Sequence, residues 1–241
     1  MIECKNLNIK RLNKTLLRDF NQKFLEGQVW AILGKNGVGK TTLLDTLAGF
    51  HSYDSGNILL NNQELSKITI LNRAQNISYL SQLHEASLDG SIIQSVSFGR
   101  YAWQQKSFDK TKEKAIIDKV MLQMELTDIQ NNNILQLSGG ERRKVELATM
   151  LVQDGDVLLL DEPLNHLDLN FRVKLMKLLK NISKTKLIIM VTHDLQFVQK
   201  YCSHILIMAH QDSWVSGTVE STLTKNNLSL MLDINLDEIV L

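Results

Sequence analysis

Gly34-Lys35-Asn36-Gly37-Val38-Gly39-Lys40-Thr41 is the stretch on which the reading of this chain turns. It has the form glycine, four residues, then Gly-Lys-Thr. Ahead of it, Val29-Trp30-Ala31-Ile32-Leu33 is apolar and partly β-branched, which predicts a buried strand. Behind it, Thr42-Leu43-Leu44-Asp45-Thr46-Leu47-Ala48 combines helical spacing with good helix formers. Glycines let such a loop curl until successive N–H groups point inward and cradle phosphate oxygens at the positive end of the helix. In that arrangement Lys40 reaches the terminal phosphates of a nucleotide and the Thr41 hydroxyl ligates Mg²⁺. A plain turn between strand and helix has no use for Lys-Thr at this position.

A length of 241 residues suffices for one sizeable α/β domain with a smaller lobe. A net charge of +1 argues against a dedicated nucleic-acid surface. Cys4 and Cys202 are far apart and lack metal-ligand spacing, so reduced thiols in a cytosolic protein are expected. The start Met1-Ile2-Glu3-Cys4-Lys5 carries no signal-peptide run, and no apolar stretch approaches a bilayer span. A soluble protein is expected, with any membrane role borrowed from a partner.

The first 25 or so residues alternate loosely and predict antiparallel strands about a polar turn at Asn13-Lys14. Ser55-Gly56-Asn57-Ile58-Leu59-Leu60 reads as a strand ending in the turn Asn61-Asn62, and Ile77-Ser78-Tyr79-Leu80 as another ending at Ser81-Gln82. From about residue 88 to residue 150 the texture becomes helical, with periodic runs over 112–124 and 141–151 joined by polar and aromatic segments. Val157-Leu158-Leu159-Leu160 and Leu187-Ile188-Ile189-Met190-Val191 are unbroken apolar runs, as in strands buried on both faces, with an amphipathic crossover helix over 171–179. Ile205-Leu206-Ile207-Met208 and a hairpin-like 214–219 complete the sheet, and the amphipathic tail 223–241 packs on the core. The expected architecture is α/β: a mostly parallel sheet with helices on both faces, an antiparallel β part, and an inserted helical lobe.

Two further stretches carry chemistry. Asp161 closes the strand 157–160, where a carboxylate beside a phosphate loop is placed to hold Mg²⁺. Glu162 follows and is placed to polarise a water for in-line attack on the γ-phosphate. Taken alone, Asp161-Glu162-Pro163 equally suits an acidic cap before a helix. Leu137-Ser138-Gly139-Gly140-Glu141 opens a helix, with Ser138 as cap and two glycines exposing N–H groups at its positive end. A second phosphate-binding loop suggests a second molecule facing the first, because both loops cannot wrap one phosphate tail.

The ordered set of phosphate loop, Gln82, Leu137-Ser138-Gly139-Gly140-Glu141, Leu158-Leu159-Leu160-Asp161-Glu162, Leu167-Asp168 and His193 resembles the nucleotide-binding subunit of an ATP-binding-cassette (ABC) transporter over nearly the whole chain. The resemblance implies a P-loop NTPase core and a single ATPase domain over 1–241. Residues 1–87 and 152–241 would form the core with its antiparallel part, and 88–151 the helical signature lobe. It implies ATP and Mg²⁺, with ATP held by Gly34, Lys35, Asn36, Gly37, Val38, Gly39, Lys40, Thr41 and Thr42, and Mg²⁺ by Thr41, Gln82 and Asp161. Glu162 would be the catalytic base, His193 a γ-phosphate contact and Gln82 a sensor of the γ-phosphate and of the membrane partner. Leu137, Ser138, Gly139, Gly140 and Glu141 would act in trans on ATP held by the opposite subunit, with Asp168 across the homodimer interface. Where the family has an aromatic residue stacking on adenine, Arg11 stands here, and a guanidinium also stacks on a π face. Glu141 replaces the commoner glutamine.

Gly99-Arg100-Tyr101, Leu164-Asn165-His166-Leu167-Asp168-Leu169 and Leu223-Thr224 through Asn227-Leu228 resemble importer subunits for iron–siderophore, haem or cobalamin. That implies a homodimer on the cytoplasmic face of the cell membrane, bound to permease subunits and served indirectly by a substrate-binding protein. No nucleic-acid partner is implied. The alternatives are a soluble cassette acting on ribosomes or DNA, which usually carries two cassettes or a long coiled-coil insertion, and an exporter subunit with the same chemistry.

Overall fold

The computed structural model describes residues 1–11, 14–82, 90–104, 109–209 and 213–232. The chain begins with strands β1 (Ile2–Arg11), β2 (Lys14–Phe24) and β3 (Val29–Gly34), followed by helix α1 (Lys40–Ala48). Next come β4 (Ser55–Leu60), β5 (Gln63–Glu64), α2 (Ile70–Asn76), β6 (Ile77–Leu80), α3 (Ile92–Phe98), α4 (Lys110–Gln123) and α5 (Gly139–Val152). The chain continues with β7 (Val157–Asp161), α6 (Leu169–Ile182), β8 (Leu187–Val191), α7 (Leu195–Tyr201), β9 (His204–Met208) and β10 (Trp214–Thr218). Helices α8 (Val219–Thr222) and α9 (Lys225–Leu232) follow.

Six strands form one sheet in the order β10-β9-β3-β8-β7-β6, in which only the β9–β10 pair is antiparallel. The unbroken apolar runs of β7 and β8 lie inside it, each with a strand on both sides and buried at every position. Period-2 alternation divides each strand between two cores. Ala31, Leu158, Leu160, Ile188 and Met190 face the helices α3 to α7, whereas Trp30, Ile32, Val157, Leu159 and Ile189 face α1 and the antiparallel strands. Full burial of each such valine, leucine, isoleucine or methionine side chain is worth roughly 1.5–3 kcal/mol, so these runs define the core of the fold.

The second sheet is antiparallel, in the order β2-β1-β4-β5. Its last hairpin turns on Asn61 and Asn62, both at positive φ (49° and 67°), the geometry of a tight two-residue turn that asparagine tolerates. Lys14 opens β2 opposite Arg11, while its neighbour Asn13 lies outside the described residues. In the tail, α9 seats Leu228 and Met231 in the core, and residues 233–241 lie outside the described set.

Pro163 does not start a helix. Residues 162–165 make a turn closed by Asn165 N–H on Glu162 O, and the next helix opens at Leu169 with Asp168 as its cap.

Candidate functional site

The parallel strands deliver their C-terminal ends to one edge of the sheet, and the phosphate loop leaves from β3 at that edge. Gly37 and Gly39 sit at positive φ (78° and 113°), so this loop needs glycine to turn its N–H groups inward. Val38 is buried and anchors the loop to the core beneath. Lys40 is 7% exposed, and its ammonium donates to Gly34 O (2.8 Å) and Lys35 O (3.0 Å). Two of its three protons are thereby engaged and the third is left for a ligand. Burial lowers its pKa, opposed by Glu162 and Asp161.

A cavity of about 370 Å³ opens over this loop. Asn36, Gly37, Gly39, Lys40, Thr41 and Thr42 line it together with Gln82, Asp161, Glu162, His193 and Arg11. The sequence therefore anticipated residues that lie far apart in the chain and meet at one place. Arg11 Nη1 donates to Thr42 Oγ1 at 3.3 Å. Leu137 to Glu141 are not among the lining residues. Residues 83–89, which follow Gln82, lie outside the described set.

The two carboxylates differ in environment. Asp161 is fully buried; Thr41 Oγ1 donates to its Oδ2 at 2.6 Å, and its Oδ1 has no partner. A buried carboxylate oxygen left without a donor beside a hydroxyl is a fitting donor set for a hard cation such as Mg²⁺. Burial raises the Asp161 pKa, and the Thr41 hydrogen bond acts against that. Glu162 has φ 48°, a left-handed conformation rare for a residue with a side chain. Burial, then the charge of Asp161, push its carboxyl up to about 7. His193 Nε2 lies 3.0 Å from Glu162 Oε1, and burial, then Lys40, lower the imidazole pKa. A carboxyl with raised pKa in contact with an imidazole is suited to accept a proton near neutral pH.

The 137–141 loop stands elsewhere. Ser138 caps α5 in a reciprocal box: its hydroxyl accepts from Glu141 N at 3.3 Å, and Glu141 Oε2 accepts from Ser138 N (2.9 Å) and Ser138 Oγ (2.6 Å). These bonds hold the Glu141 carboxyl below the usual range. A Cβ on Gly140 would come within 3.0 Å of His166 O, so this loop packs on the 164–168 loop of its own chain. Asp168 is exposed, and its carboxylate accepts from Phe171 N at 2.9 Å as the α6 cap.

The model for the ABC transporter family matches residues 17–165. The chain belongs to the ABC transporter family. As a member it binds and hydrolyses ATP. Over 239 residues it is 31% identical to the petrobactin import ATP-binding protein YclP of Bacillus subtilis (strain 168), covering 98% of this chain and 94% of that protein. Over 214 residues it is 32% identical to the hemin import ATP-binding protein HmuV of Pseudomonas fluorescens (strain Pf0-1), covering 86% and 83%. Among solved structures, a dimeric ATP-binding cassette in a post-hydrolysis state with ADP and Pi superposes with a TM-score of 0.76 at 22% identity, covering 86% of this chain and 93% of that one. The described residues include no helix long and apolar enough to cross a membrane.

Two features of this ABC subunit were not anticipated. Tyr79 Oη donates to Asp45 Oδ1 at 2.5 Å, tying the strand before Gln82 to the helix after the phosphate loop. Arg143, buried in α5, donates to backbone carbonyls of Ser81, Asp161 and Glu162. The sequence signal was a basic residue on the inward face of an amphipathic helix; its partners could not be read from spacing.

Proposed function

We propose that this chain is the ATPase subunit of an importer that takes up a chelated-metal substrate of the iron–siderophore, haem or cobalamin type through a separate permease. The observation that carries the catalytic part is the convergence of Lys40, Thr41, Asp161, Glu162 and His193 on one cavity. Lys40 and the loop N–H groups hold the phosphates, Glu162 takes the proton of the attacking water, and His193 contacts the γ-phosphate. Thr41, Asp161 and Gln82 hold Mg²⁺, which when bound neutralises charge on the terminal phosphates. Arg11 covers the nucleobase. Residues 88–151 act as the signature lobe of a single domain.

The 137–141 loop acts on the partner's nucleotide in a two-fold homodimer. Its absence from the cavity and the dimeric solved relative support that reading. Permease docking falls on two adjoining clefts that share Tyr79 and Ser81. Exposed Phe50, Ile70, Phe98 and Tyr101 line them, an apolar surface suited to a short segment of a membrane partner and next to Gln82. The named relatives are import proteins, which favours import over export and over a ribosomal or DNA role. Uptake of labelled ferric siderophore, haem and cobalamin by cells with and without a Glu162→Gln copy tests it. Loss of one uptake is expected; normal uptake of all three, with ATPase activity abolished, overturns the importer reading.

A further inference from the structure

Arg143 is 2% exposed, and its guanidinium reaches two segments outside the helix that carries it, the end of β7 at Asp161–Glu162 and the end of β6 at Ser81. Nη2 donates to Asp161 O and Glu162 O, both at 2.8 Å. Nη1 donates to Ser81 O at 3.2 Å and to Glu146 Oε2 at 2.8 Å, while Nε is buried without a partner. The two Nη2 bonds thus end on the residues whose side chains face the nucleotide cavity, and one Nη1 bond ends on the residue before Gln82.

Glu162 needs such support. Its φ of 48° is a conformation that residues with a Cβ hold only where surroundings over-determine it. Three bonds define its backbone: its N–H donates to Val191 O (3.1 Å), and its carbonyl accepts from Asn165 N (3.2 Å) and Arg143 Nη2. A planar fork with several fixed donors can serve both adjacent carbonyls and Ser81 together, which a lysine head cannot. Simple neutralisation of a buried cation would require only Glu146.

We propose that Arg143 is a positioning residue for ATP hydrolysis, locking the backbone of Asp161–Glu162 and Ser81 to the helix headed by the 137–141 loop. The inference rests on the reading of Glu162 as base. Movement of that helix on a partner subunit is then passed to the backbone that carries the Glu162 carboxylate and to the residue before Gln82.

The test uses full-length Arg143→Lys, Arg143→Gln, Glu146→Gln and Glu162→Gln proteins. Turnover is counted per site that binds trinitrophenyl-ATP. Arg143→Lys and Arg143→Gln should each lose at least about tenfold in kcat, with nucleotide affinity within about threefold of wild type. Glu146→Gln should stay within about twofold, because the carbonyl bonds persist. Wild-type kcat per competent site in Arg143→Lys and Arg143→Gln overturns the proposal. So does an equal loss in Glu146→Gln, or failure of both Arg143 variants to yield nucleotide-binding protein, which would make Arg143 a folding residue only. Normal turnover in Glu162→Gln instead removes the base assignment, so the two failures are told apart.

Discussion

His193 Nε2 sits 3.0 Å from Glu162 Oε1, so the imidazole touches the carboxyl that faces the phosphate loop. One proton serves that contact. Burial raises the carboxyl to about 7 and lowers the imidazole from 6.5, which inverts the usual order of their affinities for that proton. The imidazole therefore holds the carboxyl at the cavity.

Glu162→Gln keeps the shape and the hydrogen bond but accepts no proton. Turnover should fall about 10²–10⁴-fold while ATP binding is retained, and ATP-bound dimers should accumulate on size-exclusion chromatography. Turnover within a few-fold of wild type would take Glu162 out of the base role.

Lys40→Ala removes the ammonium that ties the loop to its own carbonyls and, on the proposed function, would meet the phosphates. Nucleotide affinity should weaken roughly 10–100-fold, as for a lost charge-assisted bond, and turnover should fall with it. Equilibrium titration with a fluorescent ATP analogue decides this, and unchanged affinity would mean the nucleotide sits elsewhere.

In the helical region, Arg100 is 5% exposed, and its Nε and Nη2 donate to the two oxygens of Glu113, with Nη1 on Val152 O at 2.7 Å. Glu113→Ala strands a buried cation, so unfolding should become easier by about 3–5 kcal/mol. Arg100→Met/Glu113→Met, which removes both charges, should recover part of that loss in urea melts. A single mutant as stable as wild type would show that water already compensates Arg100.

His204 gives a pH response at the opposite end of the strands from the nucleotide. Gln28 Oε1 accepts from Trp30 Nε1 and Leu25 N, both at 2.8 Å, so its amide NH₂ faces His204 Nε2 at 3.3 Å. Nε2 is therefore the acceptor, and Nδ1–H donates to Ser203 Oγ at 2.9 Å. The ring stacks on Trp30 with centroids 4.7 Å apart, and burial lowers its pKa below 6.5. The unfolded chain takes up this proton before the folded one does. Stability contributed here is thus whole above pH 6.5 and falls as pH drops toward the folded pKa. Melting temperatures of wild type and His204→Phe, compared between about pH 7.5 and about pH 5.5, should converge at the acid end. Parallel curves would exclude His204 as the titrating group.

Much of this fold was legible because its signals are local. The apolar runs 157–160 and 187–191, the Asn61-Asn62 turn and the Gly-rich loop each declare themselves within a few residues. Helices α2 and α7, seven residues each, were not read from the sequence, although Thr69 and Asp194 cap them. In the site, Lys40, Thr41, Asp161 and Glu162 were readable from the motifs that hold them. Arg143 was not, because it bonds to backbone carbonyls 18, 19 and 62 residues away, and a carbonyl carries no residue identity. The contact between His193 and Glu162 likewise depends on the β7–β8 pairing, which places the ends of two separate strands side by side.

The arrangement of the second glycine loop yields the sharpest test. Ser138 heads α5 with its hydroxyl and amide held in the capping box, and Gly140 rests on the 164–168 loop of its own chain. Neither residue lines the cavity above Lys40. A single subunit would thus hold nucleotide from one side, and a facing subunit would bring the positive end of its α5 to the γ-phosphate. A Lys40→Ala subunit and a Ser138→Arg subunit should each be inactive as homodimers, with Ser138→Arg still binding nucleotide. On equal mixing, random pairing puts both lesions into one composite site of each mixed dimer and leaves the other intact. That restores about a quarter of the wild-type sites, and ATPase activity should recover toward that level, provided one intact site turns over alone. Sites built within one chain would each keep a lesion, and the mixture would stay at the level of its parents. Differently tagged subunits confirm pairing by co-purification; paired dimers without any recovery would count against the trans arrangement or against independent sites.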